Sequence, residues 1–328
     1  MVTLRVAAGI LFSGTLVLGA GMAYGQATST SSGQAYPYKP IRIITSLPGG
    51  ATDFVARLVA AGISGPLGQQ VIVDSRPSSV TADLTMNAQP DGYTLLVEAG
   101  SMWFATLLQK TTYDVLRDFI PITPVIASPL ILVVHPGVAA NSVKDLIALA
   151  KARSGGLNYG SSTAGSSSHL AGALFNSMAG VNIQWIPFKG TGPAMAEMIG
   201  GGQVHVMFPN ATGVMPHIKS GRLKSLAVTS AKPSALAPGL PTVASAGLPG
   251  YEAETVYEIL APALTPAVIV NQLNREVVGI LTGLDFREKF GNAGLEVVAS
   301  TPQQLAAIIR SDMVKMGKVI REAGIRAD

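Results

Sequence analysis

Hydrophobic positions between residues 40 and 100 change period repeatedly. Ile41, Ile43 and Ile44 head a short apolar run ending at Thr45. Phe54, Leu58 and Ala61 then recur at helical spacing across residues 53–63. Gly65-Pro66 is expected to end that helix. A second apolar run covers 71–74, and a second helical pattern, 81–89, stops at Pro90-Asp91-Gly92. A third run covers 94–98. Strand–helix–strand–helix–strand order demands parallel strands with right-handed crossovers. Residues 99–129 carry no regular period.

The alternation resumes with a strand at 130–134. Ser142 caps a helix, with Asp145 three residues on as a capping box, and Gly155-Gly156 closes it. A strand at 157–159 leads into a Ser/Gly loop, 161–168, and a helix at 169–179. Strands at 181–186, 204–208 and 226–229 follow, with helices at 193–199 and 214–219 between them. After a Pro/Gly/Ala-rich loop, a strand at 254–260 and helices at 266–281 and 302–323 complete the chain. Thr265 and Thr301 stand just before a proline as N-cap candidates. The fold class is α/β: two β/α units joined through strands, with a hinge near 130–136 and 250–258 and a cleft between them. The expected division is 36–133 with 253–328 in one lobe and 134–252 in the other.

The first segment has a different pattern. Arg5 precedes an apolar stretch to about Met22, and small residues follow at Ala23 and Gly25. This reads as a cleaved signal peptide over 1–25, with cleavage after Gly25 or alternatively Ala27, and a flexible leader over 26–35. No later apolar run reaches the roughly 18 residues of a membrane span. The expected location is periplasmic.

Composition narrows the chemistry. The 328 residues suit two domains, and 48% hydrophobic against 13% charged residues allows a sizeable core. Lys plus Arg number 23 and Asp plus Glu 19, a net charge of +4 without basic blocks, which argues against nucleic acid. With no cysteine, thiolate metal sites, iron–sulfur clusters and thiol catalysis are excluded. His135, His169, His205 and His217 have no metal-ligand spacing, and no cofactor is expected. Gly165–His169 misses G-x-S-x-G by its last residue, no P-loop lysine follows Gly160, and Gly190-x-Gly192 opens no dinucleotide fingerprint. What remains is a set of Gly/Ser/Thr loops at strand-to-helix junctions: 46–53, 78–81, 161–169 and 189–193. Such loops offer free amides at helix N-termini, where ligands of open α/β sheets bind.

Those residues also carry a resemblance. Tyr36-Pro37-Tyr38-Lys39-Pro40-Ile41-Arg42, Pro48-Gly49-Gly50-Ala51-Thr52-Asp53, Pro90-Asp91-Gly92-Tyr93-Thr94, Ser168-His169-Leu170-Ala171-Gly172 and Gly247-Leu248-Pro249-Gly250-Tyr251 run in order along nearly the whole chain. The sequence resembles the Bug proteins, periplasmic solute-binding receptors of tripartite tricarboxylate transporters. The resemblance implies a two-lobe, Venus-flytrap architecture without catalysis, closing on a small carboxylate, as a monomer that hands its solute to the transporter's membrane subunits. It nominates Gly49, Gly50, Ala51, Thr52 and Asp53 from lobe one, and Ser162, Ser166, Ser167, Lys189 and Gly190 from lobe two. Ser101, Phe188 and Asn210 lie on neighbouring loops and complete the candidate set with the aromatics below. Asp53 is expected to stabilise its helix or hold an ammonium or a water rather than meet a carboxylate.

The sequence departs from the Bug pattern at Ser78-Ser79-Val80-Thr81, Glu98, Trp103, Pro209 and Glu258. Trp103 reads either as lobe core or as a stacking wall for an aromatic ligand, with Phe208 or Tyr257 opposite. Glu98 and Glu258 read either as exposed strand-end charges or as carboxylates facing the cleft. Two further functions stay open: a ligand sensor presenting its solute to a signalling ectodomain, and a serine hydrolase using Ser167 with His169.

Overall fold

The computed structural model describes residues 35–326 apart from residue 154, so the expected signal peptide and nearly all of the leader lie outside the described residues. The patterned first unit folds as β1 (Ile41–Thr45), α1 (Ala51–Leu67), β2 (Val71–Ser75), α2 (Ser78–Met86) and β3 (Thr94–Ala99). The unpatterned stretch contains α3 (Ser101–Leu108), α4 (Val115–Asp118) and β4 (Phe119–Pro129). Next come β5 (Ile131–Val134), α5 (Val143–Ala152), β6 (Asn158–Ser161), α6 (Ser167–Ala179) and β7 (Gln184–Pro187). These are followed by α7 (Thr191–Ile199), β8 (Val206–Met207), α8 (Ala211–Lys219) and β9 (Lys224–Val228). The chain finishes with β10 (Glu254–Pro262), α9 (Ala267–Leu281), α10 (Leu284–Asn292), β11 (Glu296–Val297) and α11 (Pro302–Glu322).

These elements build two sheets, ordered β11-β4-β10-β3-β1-β2 and β7-β6-β8-β5-β9. In the first, β1, β2 and β3 are parallel, and β10 inserts antiparallel between β3 and β4. Both faces are covered, which is why its strands read as continuous apolar runs. Ile43, Leu95 and Val97 pack with α1 and α9, whereas Ile44 and Leu96 pack on the other face with Trp103, Leu305 and Ile309. The second sheet is likewise covered: Leu132 and Val134 face α5 and α6, and Ile131 and Val133 face α7 and α8.

Strand β4 escapes a pattern reading because prolines punctuate it. Pro124 and Pro121 stand opposite Glu258 and Leu260, where the register with β10 shifts. A proline cannot donate to the ladder, and a bulge accommodates it. Residues Gly65-Pro66 do not stop α1, which runs on to Leu67 and ends at left-handed Gly68. Ser142 caps α5 as expected by accepting from the Asp145 amide, although the Asp145 carboxylate reaches Asn141 instead of completing the box. Thr301 forms a full capping box with Gln304. Thr265 does not cap: its hydroxyl donates to the Pro262 carbonyl, and Pro266 takes the N-cap position.

The chain crosses between sheets twice. β5 belongs to the second sheet, so the first crossing falls at Leu130, three residues before the expected boundary. The return passes from β9 through Thr229 and a long loop to Ala253. Thr229 ties the two together. Its hydroxyl accepts from the Leu130 amide at 2.9 Å and donates to the Leu130 carbonyl at 3.0 Å, and its own carbonyl accepts from Ala253. Helix α11 is a further link, and it departs from the expected assignment of 253–328 to one lobe. Leu305 and Ile309 join the lobe-one core, whereas Met316, Val319 and Ile320 join the lobe-two core.

Thr229→Val keeps the shape but removes both hydroxyl bonds from a fully buried crossing. The expected loss is about 1–3 kcal/mol of unfolding free energy, measured by urea melts; a change below about 0.5 kcal/mol would remove Thr229 from this role.

Candidate functional site

In lobe one, β1 runs into a tight turn before α1. Gly49 sits at φ +95°, a conformation that L side chains rarely adopt. Gly50 is the N-cap and offers no side chain, so the first amides of α1 have no helical acceptor. The hydroxyls of Ser46 and Thr52 bond across the turn. Asp53 fastens this loop. It is only 6% exposed and accepts from Ser75 Oγ at 3.0 Å, Arg57 Nε at 2.9 Å and the Gly49 amide. The Arg57 hydrogen bond is the main reason its pKa lies below the ordinary carboxylate value. Its bonding capacity goes to the protein, in line with a stabilising role at the helix start.

In lobe two, the 161–168 loop is held by two aromatics. His169 is buried and stacks on Trp185, with ring centroids 4.0 Å apart. Burial pushes His169 down to about 4, so the ring is neutral at physiological pH and its Nδ1 accepts from the Gly165 amide at 3.0 Å. Trp185 Nε1 donates to Ser161 Oγ at 2.8 Å. Ser166 caps α6 by accepting from the His169 amide. Sequence reading passes over this brace; its one signal is Trp185 itself, a tryptophan on a short edge strand two residues before the Pro187 bend.

The lobes meet at a cavity of about 420 Å³. Ser101, Trp103 and Phe104 line it from α3, Ser167 and Leu170 from α6, and Glu254 and Thr255 from the return crossing. Ser167 Oγ and Thr255 Oγ1 are hydrogen-bonded at 2.8 Å across it. Of the nominated residues, it brings together Ser101, Trp103 and Ser167. Gly49, Gly50, Ala51, Thr52 and Asp53 lie at the start of α1 in lobe one, and Ser162 and Ser166 on the loop before α6; none of them lines the cavity. Gly190 and Asn210 are the N-caps of α7 and α8, Lys189 is exposed, and Phe188 packs on the core around Met207; none of these lines the cavity.

Three expectations are corrected. Trp103, Phe208 and Tyr257 cannot form an aromatic wall, because each belongs to a different core. Trp103 sits under α11, Phe208 lies inside lobe two beside Tyr159 and Phe175, and Tyr257 packs on the opposite face of the first sheet. Glu98 and Glu258 are not exposed strand ends. They stand directly opposite each other on β3 and β10, both buried. Glu98 accepts from Thr81 Oγ1 at 3.0 Å, and Glu258 accepts from Trp103 Nε1 at 2.7 Å. Burial raises both pKa values, that of Glu258 far above normal. Lastly, Ser167 pairs with Thr255 and His169 Nδ1 with Gly165, so the described residues hold no Ser–His pair of the hydrolase kind.

Comparison with known proteins decides the family. Residues 55–325 match the model described as tripartite tricarboxylate transporter family receptor. The chain belongs to this family. Among its relatives, Protein BugT of Bordetella pertussis is 35% identical over 302 residues, 90% of this chain and 92% of BugT. R. palustris Rpa4515, solved with adipate, is 32% identical with a TM-score of 0.70, covering 90% of this chain and all of that one. A TctC solute-binding protein from Polaromonas, solved with no ligand, has a TM-score of 0.81 at 26% identity, covering 88% of this chain and all of that one. The protein is a solute-binding receptor of the tripartite tricarboxylate family, and its two sheets with their crossings are the receptor's two lobes.

A carboxylate with a lowered folded pKa stabilises the fold above its unfolded pKa, and that contribution is lost as pH falls through the folded value. Asp53→Asn is therefore expected to lower the melting midpoint at neutral pH. It should also leave a shallower fall in stability below about pH 4 than the wild type shows. Melts across this range check it: parallel curves for both proteins would mean that Asp53 does not hold the loop through its charge.

Proposed function

We propose that this receptor is exported to the periplasm by residues 1–25, captures a small aliphatic carboxylate between its lobes, and delivers it to the membrane subunits of a tripartite tricarboxylate-type transporter. The observation that carries this reading is a helix N-terminus in each lobe: α6 opens at Ser167 on the interlobe cavity, and α1 opens after β1, at the same end of the parallel strands as Ser101 on the cavity wall. Helix α1 begins at Gly50 without a side-chain cap, and α6 begins at Ser166, whose hydroxyl accepts from the His169 amide and meets the Ser168 hydroxyl, leaving the other first-turn amides free of it. Free amides at a helix start favour an anion through both hydrogen bonds and the helix dipole. A carboxylate held by such donors forms charge-assisted bonds, shorter and stronger than neutral ones.

Chemistry around the cavity favours an aliphatic over an aromatic solute. Phe208 and Tyr257 are committed to cores away from the cavity, so Trp103 and Phe104 line it from α3 with no aromatic opposite, and Ser101, Ser167 and Thr255 supply hydroxyls. The adipate bound to Rpa4515 is an aliphatic dicarboxylate, which supports the same class.

Thermal unfolding of the chain from Gln26 onward, against aliphatic, aromatic and amine-bearing carboxylates, tests the reading. A true solute at about 100 times its Kd adds about 2.7 kcal/mol of stability. The expected result is a clear rise in midpoint with one aliphatic class, and none with matched neutral amides. Gly49→Ala, which places a side chain at a strained φ, should weaken that solute about tenfold. If refolded, ligand-free protein shows no shift with any carboxylate, the carboxylate reading is wrong.

A further inference from the structure

Helix α11 imposes a condition on any relative motion of the lobes. It is a continuous 21-residue helix with its only proline in the first turn. Its first half is packed in the lobe-one core and its second half in the lobe-two core. Rotation about the Leu130–Thr229 crossing must therefore be absorbed where the helix passes from one core to the other. That place is the stretch from Asp312 to Lys315, which faces the return crossing across the interlobe cavity. Lys315 Nζ lies 3.3 Å from Asp312 Oδ1 and donates to the Glu252 carbonyl at 3.4 Å, so it pins the helix to the crossing strand. Glu254, the first residue of β10, lines the same cavity without a hydrogen-bond partner for its carboxylate among the described contacts.

We propose that Glu254, Asp312 and Lys315 form a titratable latch between the hinge strand and α11, so that the protonation of Glu254 sets the equilibrium between lobe positions. The charged groups that face Glu254 are Glu252 on its own segment, Glu296 on β11, and Asp312 and Lys315 on α11. The cavity walls from α3 and α6, including Ser101, Phe104, Ser167 and Leu170, are uncharged. Acidic groups thus outnumber the single lysine, which is already committed to Asp312. Burial, reinforced by Glu252, Glu296 and Asp312, pushes Glu254 up to about 7. Burial raises Asp312 as well, against the opposing pull of Lys315.

The sign follows from the geometry. With Glu254 protonated, the repulsion between hinge strand and helix is relieved, and the seam between residues 252–254 and α11, closed by Lys315 on the Glu252 carbonyl, is held shut. As pH rises through the folded value, the ionised carboxylate repels Asp312 and Glu296, and the seam loosens. This inference rests on the receptor reading only in taking lobe motion as the functional step.

The test needs no solute, so its failure is separate from failure of the carboxylate reading. The chain has no cysteine of its own. Spin labels on Gln89→Cys in lobe one and Lys219→Cys in lobe two, both exposed positions, therefore report the interlobe distance cleanly. In the wild-type background the distance distribution should shift between about pH 5 and pH 8. Glu254→Gln should hold the low-pH distribution at every pH. Asp312→Asn, which removes one repelling charge, should move the transition to lower pH. A wild-type distribution that ignores pH, a transition that survives in Glu254→Gln, or one unmoved in Asp312→Asn would each overturn the latch.

Discussion

A chain that leaves one sheet for another must carry backbone amides and carbonyls through a buried region, where an unpaired polar group costs more than a hydrogen bond gains. Here the difficulty is met by Thr229, whose single hydroxyl serves both the amide and the carbonyl of Leu130. The lobes, the cavity between them and the approach of Ser167 to Thr255 all depend on that crossing being satisfied without a rigid sheet running through it. A continuous ladder would have fused the lobes, and an unsatisfied one would have opened the core to water.

The loops at the starts of α1 and α6 are held by groups beneath them. Asp53 spends its carboxylate on Gly49, Ser75 and Arg57, and by doing so leaves the amides of the α1 start without a competing anion. His169, kept neutral by burial, holds Gly165 while Trp185 holds Ser161. Gly165 itself sits at φ +77°, where an L side chain would be strained, and a Cβ there would press on Leu108. In both lobes buried side chains hold the loop backbone in place, which fixes its amides without further reorganisation.

Buried charge follows a different logic inside lobe one. Glu98 and Glu258 face each other in a non-aqueous interior, and two carboxylates so placed cannot both ionise cheaply. Glu258 is fully buried and keeps one oxygen without a partner, while its other oxygen holds the indole of Trp103. The pair anchors α3, and through it Ser101, at the centre of the row of strand ends. Trp103, which also lines the interlobe cavity, thus donates to a buried acid, and the two acids read as strand-end charges lie in the lobe-one interior.

Much of the architecture was written in local pattern. Runs such as Ile41–Thr45, bounded by Pro48-Gly49-Gly50, fix strand, turn and helix start from period and turn chemistry alone, and Thr301 with Gln304 announces the last helix through its cap. The order of these elements and the resemblance of the loops sufficed for the α/β class and the receptor family. Four features needed the third dimension. β4 is a strand only because β10 supplies partners around its prolines, and β5 joins lobe two only because β8 and β9 pair with it. α11 spans the lobes because its two halves find different cores, and Trp103, Phe208 and Tyr257 are parted because α3 covers one face of the first sheet, Tyr257 points to the other, and Phe208 lies in the lobe-two core. Pairing, burial and the side of a sheet are relations between residues distant in the chain, and periodicity within one segment carries no information about them.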